Sequence, residues 1–245
     1  MQLYGLIGNP LTHSFSKKYF TEKFSREGVT DSRYELFPIP SIGELPALVS
    51  NNPSLAGFNV TIPYKQEVLA FVDEQDEVVR AIGAANCIRI VNGRLVAYNT
   101  DVIGFEQSLL DKWGNHHRRA LVLGTGGASK AVIWVLNKLG IDVQLVSRNP
   151  SDGSISYDSI TPALLGGHTL VVNSTPLGTW PDVDAAPALP YDAVTPDHYF
   201  FDLVYNPPLT TFLRLAQANG AVVRNGYDML EIQAEASWRI WNSVP

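Results

Sequence analysis

Ala120-Leu-Val-Leu123 is an apolar run that leads straight into Gly124-Thr-Gly-Gly-Ala-Ser129, and an apolar-periodic stretch, Ala128–Leu139, follows and stops at Gly140. A buried strand that turns through glycines into a helix is a βα unit. A chain built on such units folds as α/β with a largely parallel sheet. The glycines permit the sharp turn and let a phosphate approach the backbone at the helix N-terminus, where free N–H groups and a partial positive charge favour an anion. The spacing approximates the dinucleotide fingerprint, with Ser129 where a third glycine is usual. Gly124, Thr125, Gly126, Gly127 and Ala128 are therefore candidate cofactor-binding residues, against the plainer alternative of a tight turn without a ligand.

The end of the next strand selects the nucleotide. An NAD-selective domain carries Asp or Glu there, about 20 residues past the glycines, on the ribose 2′-hydroxyl. Here Val146-Ser147-Arg148-Asn149 holds that place, with no carboxylate to repel a 2′-phosphate and with Arg148 able to pair with one. NADP is the expected cofactor, with Ser147 and Arg148 as its contacts; Asp152 nearby opposes it. Strand patterns recur at Val143–Val146, Thr169–Val172, Tyr199–Leu203 and Ala221–Val223, which makes this a second α/β unit. Residues 149–167 are too thin for a full crossover helix, and residues 179–196 read as a surface loop.

Ahead of the polar, turn-rich Gly114-Asn-His-His-Arg-Arg119, read as a domain boundary, lies another α/β region. Its strands fit Gln2–Gly8, Arg33–Phe37, Leu55–Val60, Ala85–Val91 and Arg94–Tyr98, the last two joined by the hairpin signal Asn92-Gly93. Helices fit Ser16–Glu27, Ile42–Asn51, Lys65–Phe71, Glu74–Ile82 and Val102–Trp113. Two strand exits are rich in polar groups: Asn59-Val-Thr-Ile-Pro-Tyr-Lys65 and Asn99-Thr-Asp101. Such corners are where α/β enzymes bind small polar ligands, and these two supply one amine and one carboxylate, a plausible proton-transfer pair. The final helix, Tyr227–Trp241, aligns Met229, Ile232, Ala236 and Ile240 on one face and should pack as a core element.

With 18 Lys+Arg against 24 Asp+Glu the net charge is −6, which argues against a nucleic-acid partner. No apolar run approaches the ~20 residues of a membrane span. Gln2–Gly8 reads as a strand with no leader-like segment, so no secretory signal is expected. Cys87 is the single cysteine, which suits a reducing compartment, and a cytoplasmic location is expected. Five histidines without ligand spacing and one cysteine give no metal cluster, so no metal is expected.

Taken in order, these blocks resemble the shikimate dehydrogenase family. The resemblance begins at Gly8-Asn-Pro-Leu-Thr-His-Ser-Phe-Ser16 and continues through Asn59–Lys65, Gly83-Ala-Ala-Asn86, Asn99–Asp101 and Gly124–Ser129. Asn173-Ser-Thr-Pro-Leu-Gly178, Asp202-Leu-Val-Tyr205 and Asn225-Gly226…Met229-Leu230…Gln233 complete it. It implies reversible reduction of 3-dehydroshikimate to shikimate with NADPH. It also implies a substrate-binding domain of residues 1–101 plus 226–245, with the C-terminal helix returning to it, and a Rossmann-like NADP-binding domain of residues 102–225. By the same resemblance Ser14 and Ser16, helped by Tyr205, hold the substrate carboxylate; helix capping is the alternative for either serine. Asn59, Thr61, Asn86, Asp101 and Gln233 read the ring hydroxyls, and Lys65 with Asp101 manages the proton. Asn173, Ser174, Thr175, Gly226 and Met229 are implied beside the nicotinamide and ribose, with core packing the alternative for Met229. His13 has no implied role and reads as structural.

The chain departs from the family pattern at Cys87, where Thr is common, and at Thr179, where Met is common. After Arg148 no Lys or Arg follows until Arg214, where the family often places further basic residues. Three readings stay open: a shikimate enzyme using NADP, a quinate/shikimate enzyme using NAD or NADP, and a non-catalytic nucleotide-sensing module. The expected partner is a small-molecule substrate, and monomer and homodimer stand as equal expectations.

Overall fold

A computed structural model describes residues 1–11, 14–151 and 153–243. Thr12, His13, Asp152, Val244 and Pro245 lie outside the described residues, and with them the structural reading of His13 and the opposition of Asp152 to a phosphate. The chain divides into two compact units, Met1–Ile103 with Glu231–Pro245, and Gly104–Leu230. Both divisions fall inside helices, a few residues beyond the 101/102 and 225/226 boundaries expected from sequence.

Unit 1 contains β1 (Gln2–Gly8), α1 (Phe15–Glu27), β2 (Ser32–Pro38), α2 (Leu45–Asn51), β3 (Leu55–Val60), β4 (Glu74–Gln75), α3 (Glu77–Ile82), β5 (Cys87–Val91) and β6 (Arg94–Tyr98), in sheet order β2-β1-β3-β5-β6-β4. β1 pairs in parallel with β2 and β3, while β5 runs antiparallel to both β3 and β6. The β5–β6 hairpin turns at Asn92 (φ 50°) and Gly93 (φ 78°), the left-handed pair that an Asn-Gly turn supplies at least strain. Both faces of the sheet are covered. Leu3 and Ile7 point to one apolar layer with Phe58 and Ile88, and Tyr4 and Leu6 to another with Phe20 and Phe24.

The expected helix over 74–82 is a two-residue strand followed by the short α3. Asp76 accounts for the difference: its carboxylate accepts from Val79 N at 2.7 Å and caps α3 there, so the residues before it are free to pair with β6. Likewise the helix expected from Lys65 begins only at Glu67, as a 3₁₀ turn, which leaves Lys65 on the strand-exit loop.

Unit 2 takes in most of α4 (Asp101–Leu110) and then β7 (Arg119–Leu123), α5 (Gly127–Lys138), β8 (Asp142–Val146), β9 (Ser154–Ile155), α6 (Pro162–Gly166), β10 (Leu170–Asn173), β11 (Tyr199–Asp202), α7 (Thr211–Ala218) and β12 (Val222–Arg224). Its sheet, β12-β11-β10-β7-β8-β9, is parallel throughout, a Rossmann-like arrangement in which the strand order reverses beside β7. Among its described residues the thin 149–167 segment holds only β9, a 3₁₀ turn and α6.

The last helix, α8 (Tyr227–Asn242), lies within unit 1 from Glu231 onward. Trp241 stacks on Tyr4 at 4.9 Å and donates its indole N–H to Ile88 O at 3.0 Å. Gly57 permits this approach, because a Cβ there would collide with Trp241 Cδ1. Of the expected line, Met229 and Ala236 are buried while Ile232 and Ile240 are only half-buried, and Gln233, Ala234, Ser237 and Trp241 are buried as well. Counting apolar residues caught only part of this face, because Gln233 and Ser237 are polar and are satisfied by hydrogen bonds. Among the described residues no helix is long and apolar enough to cross a membrane.

Candidate active site

Register brings the polar corners of unit 1 together. Asn59 at the end of β3 pairs with Cys87, and Cys87 pairs with Tyr98 at the end of β6. The segments that follow β3 and β6 and the one that precedes β5 therefore share one end of the sheet, and β1 ends there too, with Ile7 opposite Val60. At that end Lys65 Nζ stands 2.6 Å from Asp101 Oδ2, a pair mostly shielded from water. Asp101 opens α4, where the helix dipole favours a negative charge. Its other oxygen accepts from Asn86 Nδ2 at 2.8 Å. Asn86 is oriented in turn, since its Oδ1 accepts the Thr100 N–H at 2.6 Å and its Nδ2 lies 3.0 Å from Thr100 Oγ1. Gln233 reaches the same cluster, with Oε1 3.4 Å from Asn86 Nδ2 and 3.3 Å from Thr100 Oγ1. Asn59 joins through Asn86 O at 3.1 Å.

Five residues singled out from the sequence, Asn59, Lys65, Asn86, Asp101 and Gln233, thus belong to one hydrogen-bonded network. Ser14 caps α1, accepting from Lys17 N at 3.4 Å, and Ser16 faces the buried Tyr34 phenol. Thr61 follows β3, its methyl packed so closely over Gly8 that a Cβ there would collide with it. Thr100, Ser237 and Tyr34 were missed. Thr100 sits inside the quoted Asn99–Asp101 block, and Ser237 lies one helical turn past Gln233, a spacing that puts both on one face.

In unit 2, Gly124 (φ 106°) makes the turn, and a Cβ there would meet Ser174 Oγ at 2.9 Å. Gly126 is the N-cap of α5; it supplies no side chain to the helix N–H groups, and the space over it is open. Ser129, in place of a third glycine, is buried and donates to Gly126 O at 2.6 Å, closing the first turn. The loop thus fits an anionic phosphate approaching the backbone. Ser147 folds back on Asn149, accepting its N–H at 3.2 Å, while Arg148 is exposed at the end of β8. Asn173 is fully buried. It donates to Asp202 Oδ1 at 2.9 Å and accepts from Thr175 N at 3.0 Å and Thr175 Oγ1 at 2.6 Å, while Ser174 Oγ donates to Leu123 O at 2.7 Å. Burial raises the Asp202 carboxyl to about 7, against donors from Thr210, Val204 N and Asn173. Gly226 is required by packing, because a Cβ would collide with Leu203 O. Met229 is buried, and burial also raises the half-buried Tyr205 phenol. Among the described residues no group of His, Cys, Asp or Glu is arranged to hold a metal ion.

The two sheets and the glycine loop define a class: two-unit α/β proteins with a polar strand-exit site in one unit and a Rossmann-like nucleotide fold in the other. The family model for the shikimate dehydrogenase substrate binding domain matches residues 6–88, within unit 1. The NADP(+) shikimate dehydrogenase of Methanococcus maripaludis strain C6 is 34% identical over 98% of this chain and 91% of its own length. The chain belongs to the shikimate dehydrogenase family. Among solved structures, the Thermus thermophilus shikimate 5-dehydrogenase in complex with NADP(H) and shikimate aligns with TM-score 0.87 and 31% identity, covering 100% of this chain and 94% of that one. The Corynebacterium glutamicum quinate dehydrogenase in complex with NAD aligns with TM-score 0.88 and 26% identity, covering 99% and 94%.

Proposed function

We propose that this protein catalyses the reversible, NADPH-dependent reduction of 3-dehydroshikimate to shikimate. The Lys65–Asp101 pair at 2.6 Å carries the reading, because it sets a proton donor and its partner at the end of the sheet where the polar corners meet. NADPH, when bound, supplies the hydride. Lys65 holds its ammonium toward the carbonyl oxygen and relieves the alkoxide that develops there, and Asp101 keeps the amine oriented and shares the proton. Ser14 and Ser16, with Tyr205, hold the carboxylate, while Thr61, Asn86, Asp101 and Gln233 read ring hydroxyls; the motif match implies Asn59 with them. An array of this kind discriminates well, since each unmatched buried polar group costs about 1–3 kcal/mol.

Residues 1–101 with 226–245 act as the substrate domain in this reading and 102–225 as the cofactor domain. Gly124, Thr125, Gly126, Gly127 and Ala128 cradle the pyrophosphate at the N-terminus of α5. Asn173, Ser174, Thr175, Gly226 and Met229 flank the nicotinamide and ribose, and Ser147 and Arg148 take the 2′-phosphate. The setting is the cytoplasm, suited to a chain whose single cysteine, Cys87, is buried. The assembly is a monomer or homodimer that takes a small-molecule substrate.

One observation favours a second reading. Arg148 is exposed and is the only Lys or Arg between Lys138 and Arg214, so a quinate/shikimate enzyme using NAD or NADP is the alternative. A four-way assay decides: shikimate or quinate, each with NADP or NAD, followed by nicotinamide absorbance. Turnover of shikimate with NADP alone supports the first reading. Comparable rates with quinate or NAD support the second, and silence in all four, with nucleotide still bound, means a sensing module.

A further inference from the structure

Asn59 sits among the residues that the motif match assigns to the substrate, yet its side chain is already spent. It is 4% exposed. Its Oδ1 accepts from Tyr34 OH at 2.9 Å, and its two amide hydrogens go to Asn86 O at 3.1 Å and Ser237 Oγ at 2.9 Å. A carboxamide has two donors and one acceptor oxygen, so a substrate hydroxyl could be met only by a spare lone pair on a buried atom. Ser237 is the other end of the arrangement. It is fully buried on α8, donates to Gln233 O at 3.0 Å one turn back, and lies 3.2 Å from Thr100 Oγ1. Through Thr100 it meets the atoms that hold Asn86, and Asn86 holds the free oxygen of Asp101.

We infer that Asn59 and Ser237 are a pair of positioning residues that clamp α8 to the β3 exit. Together with Thr100 they set the angle at which Asn86, Gln233 and Asp101 face the substrate. Asn59 does not contact it. The hydrogen-bond count carries this: losing Ser237 leaves a buried Asn59 N–H unmet, losing Asn59 leaves the Tyr34 hydroxyl without its acceptor and Ser237 Oγ without its donor, and the local rearrangement that relieves either moves Asn86 or Gln233. The inference rests on the reading of unit 1 as the shikimate site.

The test is a double-mutant cycle with Asn59→Ala and Ser237→Ala, scored as KM and kcat for shikimate and for NADP. Each single variant is expected to raise the shikimate KM roughly ten-fold or more, as an unmet buried polar group implies, while the NADP KM stays near the wild-type value. The double variant is expected to be little worse than the poorer single one, the coupling expected of two residues acting as one unit. Full additivity, or a Ser237→Ala enzyme with unchanged shikimate KM, overturns the inference and makes Asn59 a direct contact. Parallel losses for both substrates overturn it too, since a general loss of structure acts on both. If Ser237→Ala folds poorly, Thr100→Val keeps the volume and deletes only the hydroxyl, and the same split is required of it. A wild-type enzyme silent toward shikimate sinks the substrate assignment and this inference with it; an active enzyme with additive variants sinks this inference alone.

Discussion

Asn173 and Asp202 are directly opposed in the β10–β11 register, and the Asn173 carboxamide donates to Asp202 Oδ1 at 2.9 Å. Two loops hang from this buried pair. Asn173 Oδ1 receives the N–H and hydroxyl of Thr175, and Asp202 Oδ1 receives the N–H of Val204, next to Tyr205. Thr210 completes the carboxylate shell from the N-cap of α7, at 2.5 Å. The pair is thus a structural hinge-pin for the polar side of unit 2.

Burial raises the Asp202 carboxyl from 3.8 to about 7. A group raised on folding stabilises the native state most fully below its unfolded value, and that contribution is lost as pH rises through about 7. Asp202→Asn carries no such proton. Its melting temperature relative to wild type is expected to climb between about pH 5 and pH 8, because wild type loses up to about 1.4 kcal/mol for each pH unit across that rise. Thermal melts at both values check it, and a constant difference overturns the assignment.

His117 makes the opposite prediction in acid. It is buried between the rings of Trp113, His116 and Tyr199, with Nδ1 2.9 Å from Thr169 Oγ1, and burial lowers it to about 4. Its contribution is present above the ordinary value of 6.5 and is lost as pH falls through about 4. His117→Gln should flatten the acid limb of the stability curve across that window. An acid limb as steep as wild type means other groups carry it.

Removing the amine at Lys65 tests the chemistry. Lys65→Ala should lower kcat by about 10²–10⁴-fold, as for a group acting in proton transfer, with the shikimate KM little changed. Steady-state kinetics at saturating NADP checks it. Turnover near the wild-type rate rules out the proton-transfer role.

Arg148 is the cofactor test. Arg148→Ala should weaken NADPH roughly ten-fold or more while barely touching NADH, because only NADPH offers a phosphate to the guanidinium. Binding measured by nicotinamide fluorescence separates the two, and equal losses release Arg148 from the 2′-phosphate.

Much of the architecture was legible because it depends on local rules. The run from Leu121 through Gly124 to Val135 declares a βα unit by its own periodicity, Asn92-Gly93 declares a hairpin by its dihedral tolerance, and the polar strand exits stand out as short blocks. Local rules failed where a single side chain chose between neighbours: Asp76 starts α3 directly after a two-residue strand that reads as helix, and Lys65 stays in a loop. Composition also caught only part of the buried face of α8, because Gln233 and Ser237 look like surface residues until Asn59, Thr100 and Asn86 are brought to them. Residues up to 178 positions apart meet in that network, and no spacing along the chain encodes their angles. The chain alone determined most of the strands, the kind of fold they build and the family resemblance of its polar blocks. Tertiary structure alone decided which polar groups are already satisfied by one another, since that depends on strand register and helix rotation, and both are set by packing across the whole core.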